Sequence, residues 1–332
     1  MTEAITNLFL RLHETIGASG YGIFSAIVTA ALCILIIPRT TDLMVDSAAG
    51  LAGKYLGNEK RTMVINLSTN TPEFFSMIVA FFMLRLGGIG NPLGSNLANL
   101  YLMFLLAPLW VVLLWKIKGE GEKVSAFFAL VKKEKKLVLW HVLAGLMLYL
   151  LATFTLWVTT GEDKLGGIFG GNVNQVGKIW LMSGALLCTG AVFFFLAAEV
   201  RLKKDRRELF SDIDDEGQNP SWMGLFVGMA GLIIACSVMN ALFVSWENVY
   251  STFLTGILGA AVFTGLQYFL GALVTSLPEM TVATRNFRRL SSPDLNTALG
   301  SASYSNMSNV GIAGIGALIA WILTCLGFNL IP

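Results

Sequence analysis

The stretch Ser68-Thr69-Asn70-Thr71-Pro72-Glu73 decides the fold, because it lies inside an apolar segment and recurs as Val274-Thr275-Ser276-Leu277-Pro278-Glu279. Each copy is followed by a second polar pattern, at residues 90–99 and 300–309, that contains Ser-Asn-x-x-Asn. A repeated set of polar groups in an apolar chain indicates internal duplication. Transporters built from such repeats hold their binding site at the repeat interface.

The composition places this chain in a membrane. Of 332 residues, 55% are hydrophobic and 13% are charged, which is about half the charged fraction of a soluble protein. Apolar runs of roughly 20 residues are long enough to cross a bilayer, and their weak alternation argues against a barrel. We therefore predict an all-α polytopic membrane protein in contact with the lipid bilayer.

Several functional classes are disfavoured by what the sequence lacks. A net charge of +2 gives no reason to expect nucleic acid as a partner. The four cysteines form no CxxC pair and the two histidines form no HExxH motif, so neither a disulfide framework nor a metal clip is indicated. No nucleophile and base are paired in a recognisable pattern, so we expect neither an enzyme nor a bound cofactor.

The apolar runs predict eight spans, and the basic residues predict their orientation. The spans are 20–48, 62–86, 94–115, 137–159, 175–199, 222–247, 252–284 and 304–330. Nineteen of the 23 lysines and arginines fall in connections on one side, which the positive-inside rule makes cytoplasmic. Both termini are then outside, and we predict the plasma (cell inner) membrane. Equivalent helices are five spans apart, so the two repeats should have inverted topology.

The residues around the two Pro-Glu pairs suit a cation. Pro72 and Pro278 should open their helices and free carbonyl oxygens, which is tolerated at membrane depth where the backbone is buried in protein or lines a cavity. Glu73 and Glu279 follow directly, and a carboxylate in the membrane needs a cation, a proton or a partner. Thr69 and Thr275 each stand four residues before a glutamate and so share its helical face, and Ser95 and Asn99, also four apart, share a face with each other. Carboxylates with neutral oxygens are the ligands of hard cations such as Ca²⁺.

At these residues the chain resembles the cation/calcium exchanger superfamily, whose repeats read roughly Gly-Thr-Ser-x-Pro-Glu and then Gly-Asn-x-x-Gly-Ser-Asn-x-x-Asn. The resemblance implies a ten-helix antiporter that binds its ions between the second, third, seventh and eighth helices. Carried across, it implies these metal ligands: Thr69, Asn70, Glu73, Ser95, Asn99, Thr275, Ser276, Glu279, Ser305 and Asn309.

The chain departs from the family pattern in several places. Ser68 and Val274 stand where the family has glycine, and Asn309 stands where some sodium/calcium exchangers have Asp. The second repeat is shortened, so the chain has about eight helices where the family has ten. A partner chain or a second copy could cover the face that this leaves exposed. On this interpretation, residues 1–115 form the first repeat, 116–221 the central helices with their basic loops, and 222–332 the second repeat.

Three functions remain open at this point. The first is a secondary antiporter that exchanges Ca²⁺, or a similar divalent cation, for Na⁺ by alternating access. The second is a proton-coupled exchanger in which the glutamates titrate. The third is a membrane subunit or sensor that binds ions without transporting them. Separately, residues 124–131, which are flanked by lysines, fit either an interfacial amphipathic helix or a plain connector.

Overall fold

The computed structural model describes residues 2–57, 60–82, 87–160, 173–206, 209, 220–258, 276–328 and 330. Regular secondary structure in these ranges is helical throughout, as the composition predicts. Six helical segments in them are long and apolar enough to cross a membrane. These segments are Ala4–Tyr55, Pro92–Ile117, Lys135–Phe154, Gly177–Asp205, Trp222–Phe253 and Ser292–Cys325.

We number the described helices α1 to α12. They are α1 Thr2–Ala31, α2 Ile37–Tyr55, α3 Arg61–Thr69, α4 Thr71–Phe82, α5 Gly87–Tyr101, α6 Ala107–Ile117, α7 Gly121–Lys133, α8 Lys135–Thr160, α9 Val173–Asp205, α10 Trp222–Leu258, α11 Leu277–Phe287 and α12 Ser292–Cys325. Two π-helical segments, Leu32–Ile36 and Leu102–Leu106, join α1 to α2 and α5 to α6 without a break. Gly17, at a φ of 72°, kinks α1.

The core of the bundle is α12, which packs against α9, α5, α8, α11 and α3. Its side chains are buried along most of its length, from Leu295 to Ala320. Small residues make this possible, because backbones can approach closely where no Cβ intervenes. A Cβ at Gly314 would lie 2.8 Å from Cys188 Cβ of α9, and one at Gly316 would lie 2.8 Å from Met77 Sδ of α4.

A second close contact joins α2 to α10. A Cβ added at Gly228 would lie 2.6 Å from the backbone nitrogen of Met44, so the two helices touch backbone to backbone at this point. Within α2, Asp42 accepts from Arg285 of α11 at 3.1 Å and Asp46 accepts from the same guanidinium at 2.6 Å. These charged hydrogen bonds hold α11 against α2, and all three side chains remain partly exposed.

The structure corrects several predicted span boundaries. The last span does not begin at residue 304, because α12 already begins at Ser292. The connection predicted at 248–251 is wrong, since α10 continues as helix to Leu258. The first span is likewise longer than 20–48, within a helical segment from Ala4 to Tyr55. Most of the span predicted at 252–284 lies outside the described residues.

The two Pro-Glu segments differ from the other spans in being short helices. The chain ends α3 at Thr69 and starts α4 at Thr71, so the first segment is interrupted at Asn70, beside Pro72. In the second segment α11 starts at Leu277, one residue before Pro278. The expected effect of proline on the first helix is therefore confirmed. No helix among the six candidate spans contains either pair.

Candidate cation site

Both Pro-Glu pairs begin a short helix with the same local geometry. Asn70 and Ser276 precede the helices with nearly equal dihedral angles, φ −82° and ψ 10° against φ −92° and ψ 2°. The carbonyl of Asn70 accepts from the N–H of Phe74 at 3.2 Å, and the carbonyl of Ser276 accepts from the N–H of Met280 at 3.1 Å. Each proline occupies the first turn, where its missing N–H costs no hydrogen bond. Each glutamate therefore stands in the first turn of its helix.

The two carboxylates are fully buried and have matching partners. Ser95 Oγ of α5 donates to Glu73 Oε1 at 3.3 Å, and Ser305 Oγ of α12 donates to Glu279 Oε1 at 3.2 Å. Neither glutamate is exposed at all. The carboxyl groups lie close enough for their charges to repel each other, so a bound cation between them would remove a substantial penalty.

Further contacts link the two Pro-Glu segments across the site. Ser305 Oγ, besides its contact with Glu279, lies 2.9 Å from Asn70 Oδ1 and accepts from Asn99 Nδ2 at 2.9 Å. The hydroxyl of Thr69 is within hydrogen-bonding range of the Glu279 carboxylate. Side chains from the α3–α4 break, α5, α11 and α12 thus converge on one buried point.

Some oxygens at this point have no hydrogen-bond partner among the described residues. They are Glu279 Oε2, Ser276 Oγ, Asn99 Oδ1 and the side-chain amide of Asn309, all on residues with no exposed surface. Buried polar groups in native proteins nearly always have partners, so a bound ion or water would satisfy these atoms. Carboxylate, hydroxyl and amide oxygens together form a hard donor set, which suits Na⁺ and Ca²⁺.

The composition of the donor set also disfavours transition metals. In the described part of the chain, no three His, Cys, Asp or Glu side chains come together as a possible metal centre. Two carboxylates and several neutral oxygens are what remains, and soft or borderline metals prefer thiolate and imidazole ligands. The two negative charges would balance one divalent ion.

Nine of the ten residues that the resemblance names as ligands are described, and all nine are buried. Asn70, Glu73, Ser95, Asn99, Glu279 and Ser305 join the hydrogen-bonded cluster, Thr69 reaches it through Glu279, and Ser276 and Asn309 bring unpartnered atoms. Thr275 lies outside the described residues.

Sequence reasoning missed a pair of asparagines beside these ligands. Asn96 Nδ2 donates to the carbonyl of Asn306 at 3.4 Å, and Asn306 Nδ2 donates to the carbonyl of Asn96 at 3.2 Å. Asn306 also accepts from Asn99 Nδ2 at 3.0 Å and donates to the carbonyl of Gly145 at 3.3 Å. The signal was available, since both asparagines stand in the repeated Ser-Asn-x-x-Asn pattern. They hold α5, α8 and α12 together and orient Asn99.

Two further groups near the site carried no sequence signal. His141 of α8, fully buried, contacts Ser303 Oγ at 2.7 Å and Asn296 Oδ1 at 2.9 Å, and so joins α8 to α12. The buried thiol of Cys236 on α10 lies within electrostatic range of Glu73 and Glu279. Only the packing of separate helices brings these side chains to the site.

No known protein family, no curated protein and no solved structure matches this chain. The resemblance to cation/calcium exchangers therefore rests on the motif residues themselves.

Proposed function

We propose that this protein is a secondary cation antiporter that exchanges Ca²⁺, or a similar divalent cation, for Na⁺ by alternating access. One observation carries the proposal: two buried carboxylates, each in the first turn of a short helix that starts at a Pro-Glu pair, share a cluster with orphaned hard oxygens. Two charges of this kind would be very costly in a bilayer without a cation.

The roles of the residues follow from their chemistry. Glu73 and Glu279 would neutralise the divalent ion, while Asn99, Ser276 and Asn309 supply neutral oxygens. Na⁺ would compete for the same ligands. The fluxes are then coupled, because a site with its charges neutralised can change its access to the two sides, and a site with two bare carboxylates cannot do so easily.

The repeat architecture belongs to the proposal as well. We infer eight spans arranged as two repeats of inverted topology, with both termini outside and the plasma (cell inner) membrane as the location. The reciprocal bonds between Asn96 and Asn306 support a two-fold relation, since such an axis makes each residue contact its own equivalent. The matched pairs of Ser95 with Glu73 and Ser305 with Glu279 support it too.

The decisive experiment is uptake of radiolabelled calcium into vesicles that contain the purified chain, driven by an imposed sodium gradient. We expect sodium-dependent uptake, and we expect Glu73→Gln and Glu279→Gln each to lower it at least about tenfold, equivalent to about 1.4 kcal/mol of lost ion binding. Glu14→Gln, a change of the same kind at an exposed residue of α1, is the matched control and should transport normally. Full transport by both site variants would refute the assignment of the site.

The same preparation separates the two other functions. Uptake that follows an imposed pH gradient and ignores sodium would identify a proton-coupled exchanger. Calcium binding to the purified protein without flux under either gradient would identify a subunit or sensor. That result would support the proposed cation site and refute antiport.

A further inference from the structure

Exposed lysines stand at both ends of the connection that α7 makes between α6 and α8. We define the lysine collar as Lys116, Lys132, Lys133, Lys135 and Lys136, all of which are exposed. Lys116 stands in the last turn of α6, Lys132 and Lys133 end α7, and the remaining two begin α8. The collar contains no arginine, and it includes residues at the ends of two helical segments that are long and apolar enough to cross a membrane.

Two of these lysines lie at the ends of lipid-facing stripes. Along α8, Lys136 is followed at helical spacing by Leu139, Leu143 and Met147, whose side chains are 53%, 49% and 66% exposed. In a spanning helix, large exposed apolar side chains face the acyl chains of the bilayer. Lys136 shares their face one turn beyond them, so its ammonium group is at the level of the headgroups.

The same arrangement ends α6. Leu109 and Leu113 are 55% and 48% exposed, and Lys116 follows them on the same face. Between the two stripes runs α7, which carries the exposed side chain of Phe128 four residues before Lys132. An aromatic ring next to lysines on a helix that connects two spans is typical of a membrane-surface helix.

The nearby acidic groups offset only part of the collar's positive charge, with Lys133 lying 4.0 Å from Glu134 Oε1. The carboxylate of Glu134, although adjacent in sequence, is buried and accepts from Arg206 at 2.9 Å and from Ser292 at 2.8 Å. Glu120 is paired with Lys123, outside the collar, at 3.1 Å. In addition, Lys135 and Lys136 stand in the first turn of α8, where the positive end of the helix dipole repels cations. A bound anion there would offset the repulsion between each of these lysines and the dipole.

We propose that the lysine collar is a binding site for anionic phospholipid headgroups of the adjacent leaflet. Headgroup phosphates would be held by the lysines at the α7–α8 junction and, at the end of α6, by Lys116. The acyl chains would lie along the exposed stripes of α6 and α8. Anionic lipid is the occupant that matches both features, because a soluble anion would gain nothing from the apolar stripes.

The fold also gives this site a route to α11. Phe127 of α7 is buried between Trp115 of α6 and Phe287, with ring centroids 6.1 Å and 5.8 Å apart. Phe287 is the last residue of α11, and Glu279 lies in the first turn of the same short helix. Lipid that steadies α7 would therefore steady the helix that carries Glu279. This second step rests on the proposed function, whereas the lipid site itself does not.

The test compares lipid retained by the full chain after extraction from vesicles of phosphatidylcholine mixed equally with phosphatidylglycerol. Native mass spectrometry counts each lipid on the protein. We expect phosphatidylglycerol to be retained in preference, and its retention to fall about 25-fold in Lys116→Gln/Lys136→Gln at low ionic strength, since one lysine near a charged membrane surface contributes about fivefold. Added salt should weaken retention by the unaltered chain.

Two controls make the result specific. Lys116→Arg/Lys136→Arg keeps the charge and should retain the lipid, which shows that any loss does not come from misfolding. Lys54→Gln/Lys60→Gln removes two exposed lysines elsewhere and should also retain it. Equal retention by the collar variant and the unaltered chain overturns the proposal, and so does an equal loss in both glutamine variants. Neither result depends on whether the protein transports an ion.

Discussion

Asn306 and Asn309 stand three residues apart on α12, equally buried, yet the structure gives them opposite roles. The side chain of Asn306 makes three hydrogen bonds, to Asn96, Asn99 and Gly145. The amide of Asn309 has no partner among the described residues. If Asn309 is an ion ligand, replacing each residue by leucine, which branches at the same carbon but is apolar and larger, should give contrasting results.

The magnitudes follow from the partners. Hydrogen bonds between membrane helices contribute about 0.6 kcal/mol each, so Asn306→Leu should destabilise the cation-free protein by about 2 kcal/mol. Asn309→Leu removes a buried polar group whose burial without a partner costs about 1–3 kcal/mol, and this gain offsets the cost of the larger side chain, so the cation-free protein should be destabilised less than by Asn306→Leu.

Calcium should narrow the difference in stability between the two variants. A ligand at 100 times its Kd stabilises the folded state by about 2.7 kcal/mol, and Asn309→Leu should lose most of this increment because a ligand is gone. Asn306→Leu keeps every proposed ligand and should keep the larger part of it.

The assay is thermal unfolding in detergent, with and without calcium, on the unaltered chain and both variants. The reasoning is refuted if Asn309→Leu destabilises the cation-free protein as much as Asn306→Leu does. It is also refuted if Asn309→Leu retains the full stabilisation by calcium.

Other contacts yield simpler expectations. Gly228→Ala should push α2 from α10, because the new Cβ would lie 2.6 Å from the backbone nitrogen of Met44, and the melting temperature should fall measurably in detergent. Arg285→Gln removes the partly exposed ion pairs with Asp42 and Asp46. The loss should cost about 1 kcal/mol of stability at low salt and less at high salt, which unfolding at two ionic strengths would measure. Burial alone would raise the pKa of the Glu134 carboxyl, but hydrogen bonds from a guanidinium and a hydroxyl and the nearby positive charge outweigh it and lower the pKa. The charged carboxylate therefore stabilises the folded protein at pH values above its ordinary pKa, and this stabilisation is lost as the pH falls through the lowered pKa of the folded state. Unfolding measured at decreasing pH should show the stability of the unaltered chain approaching that of Glu134→Gln below about pH 4.5.

Much of the site was predictable because its residues lie in repeated local patterns. Proline within an apolar run indicates an opened helix wherever it occurs, and the break at Asn70 fits that expectation. The spacing of Ser95 and Asn99 places both on one face of a helix without reference to any neighbour. A hydropathy pattern, by contrast, mislocated the start of α12. Its first turns are polar and were assigned to a connection, although Asn296, Thr297 and Ser301 are buried inside the bundle.

By itself, the sequence determined that the chain is helical, that it has segments apolar enough to cross a membrane, and that two Pro-Glu pairs place carboxyl groups within apolar segments. These properties depend on composition and on neighbours a few residues away, which the sequence states directly. Only the tertiary structure decided that Ser305 contacts both Asn70 and Glu279, and that His141 joins α8 to α12. Those contacts depend on which faces of separate helices meet. That choice is made by close packing of small residues along α12, and no local pattern specifies it.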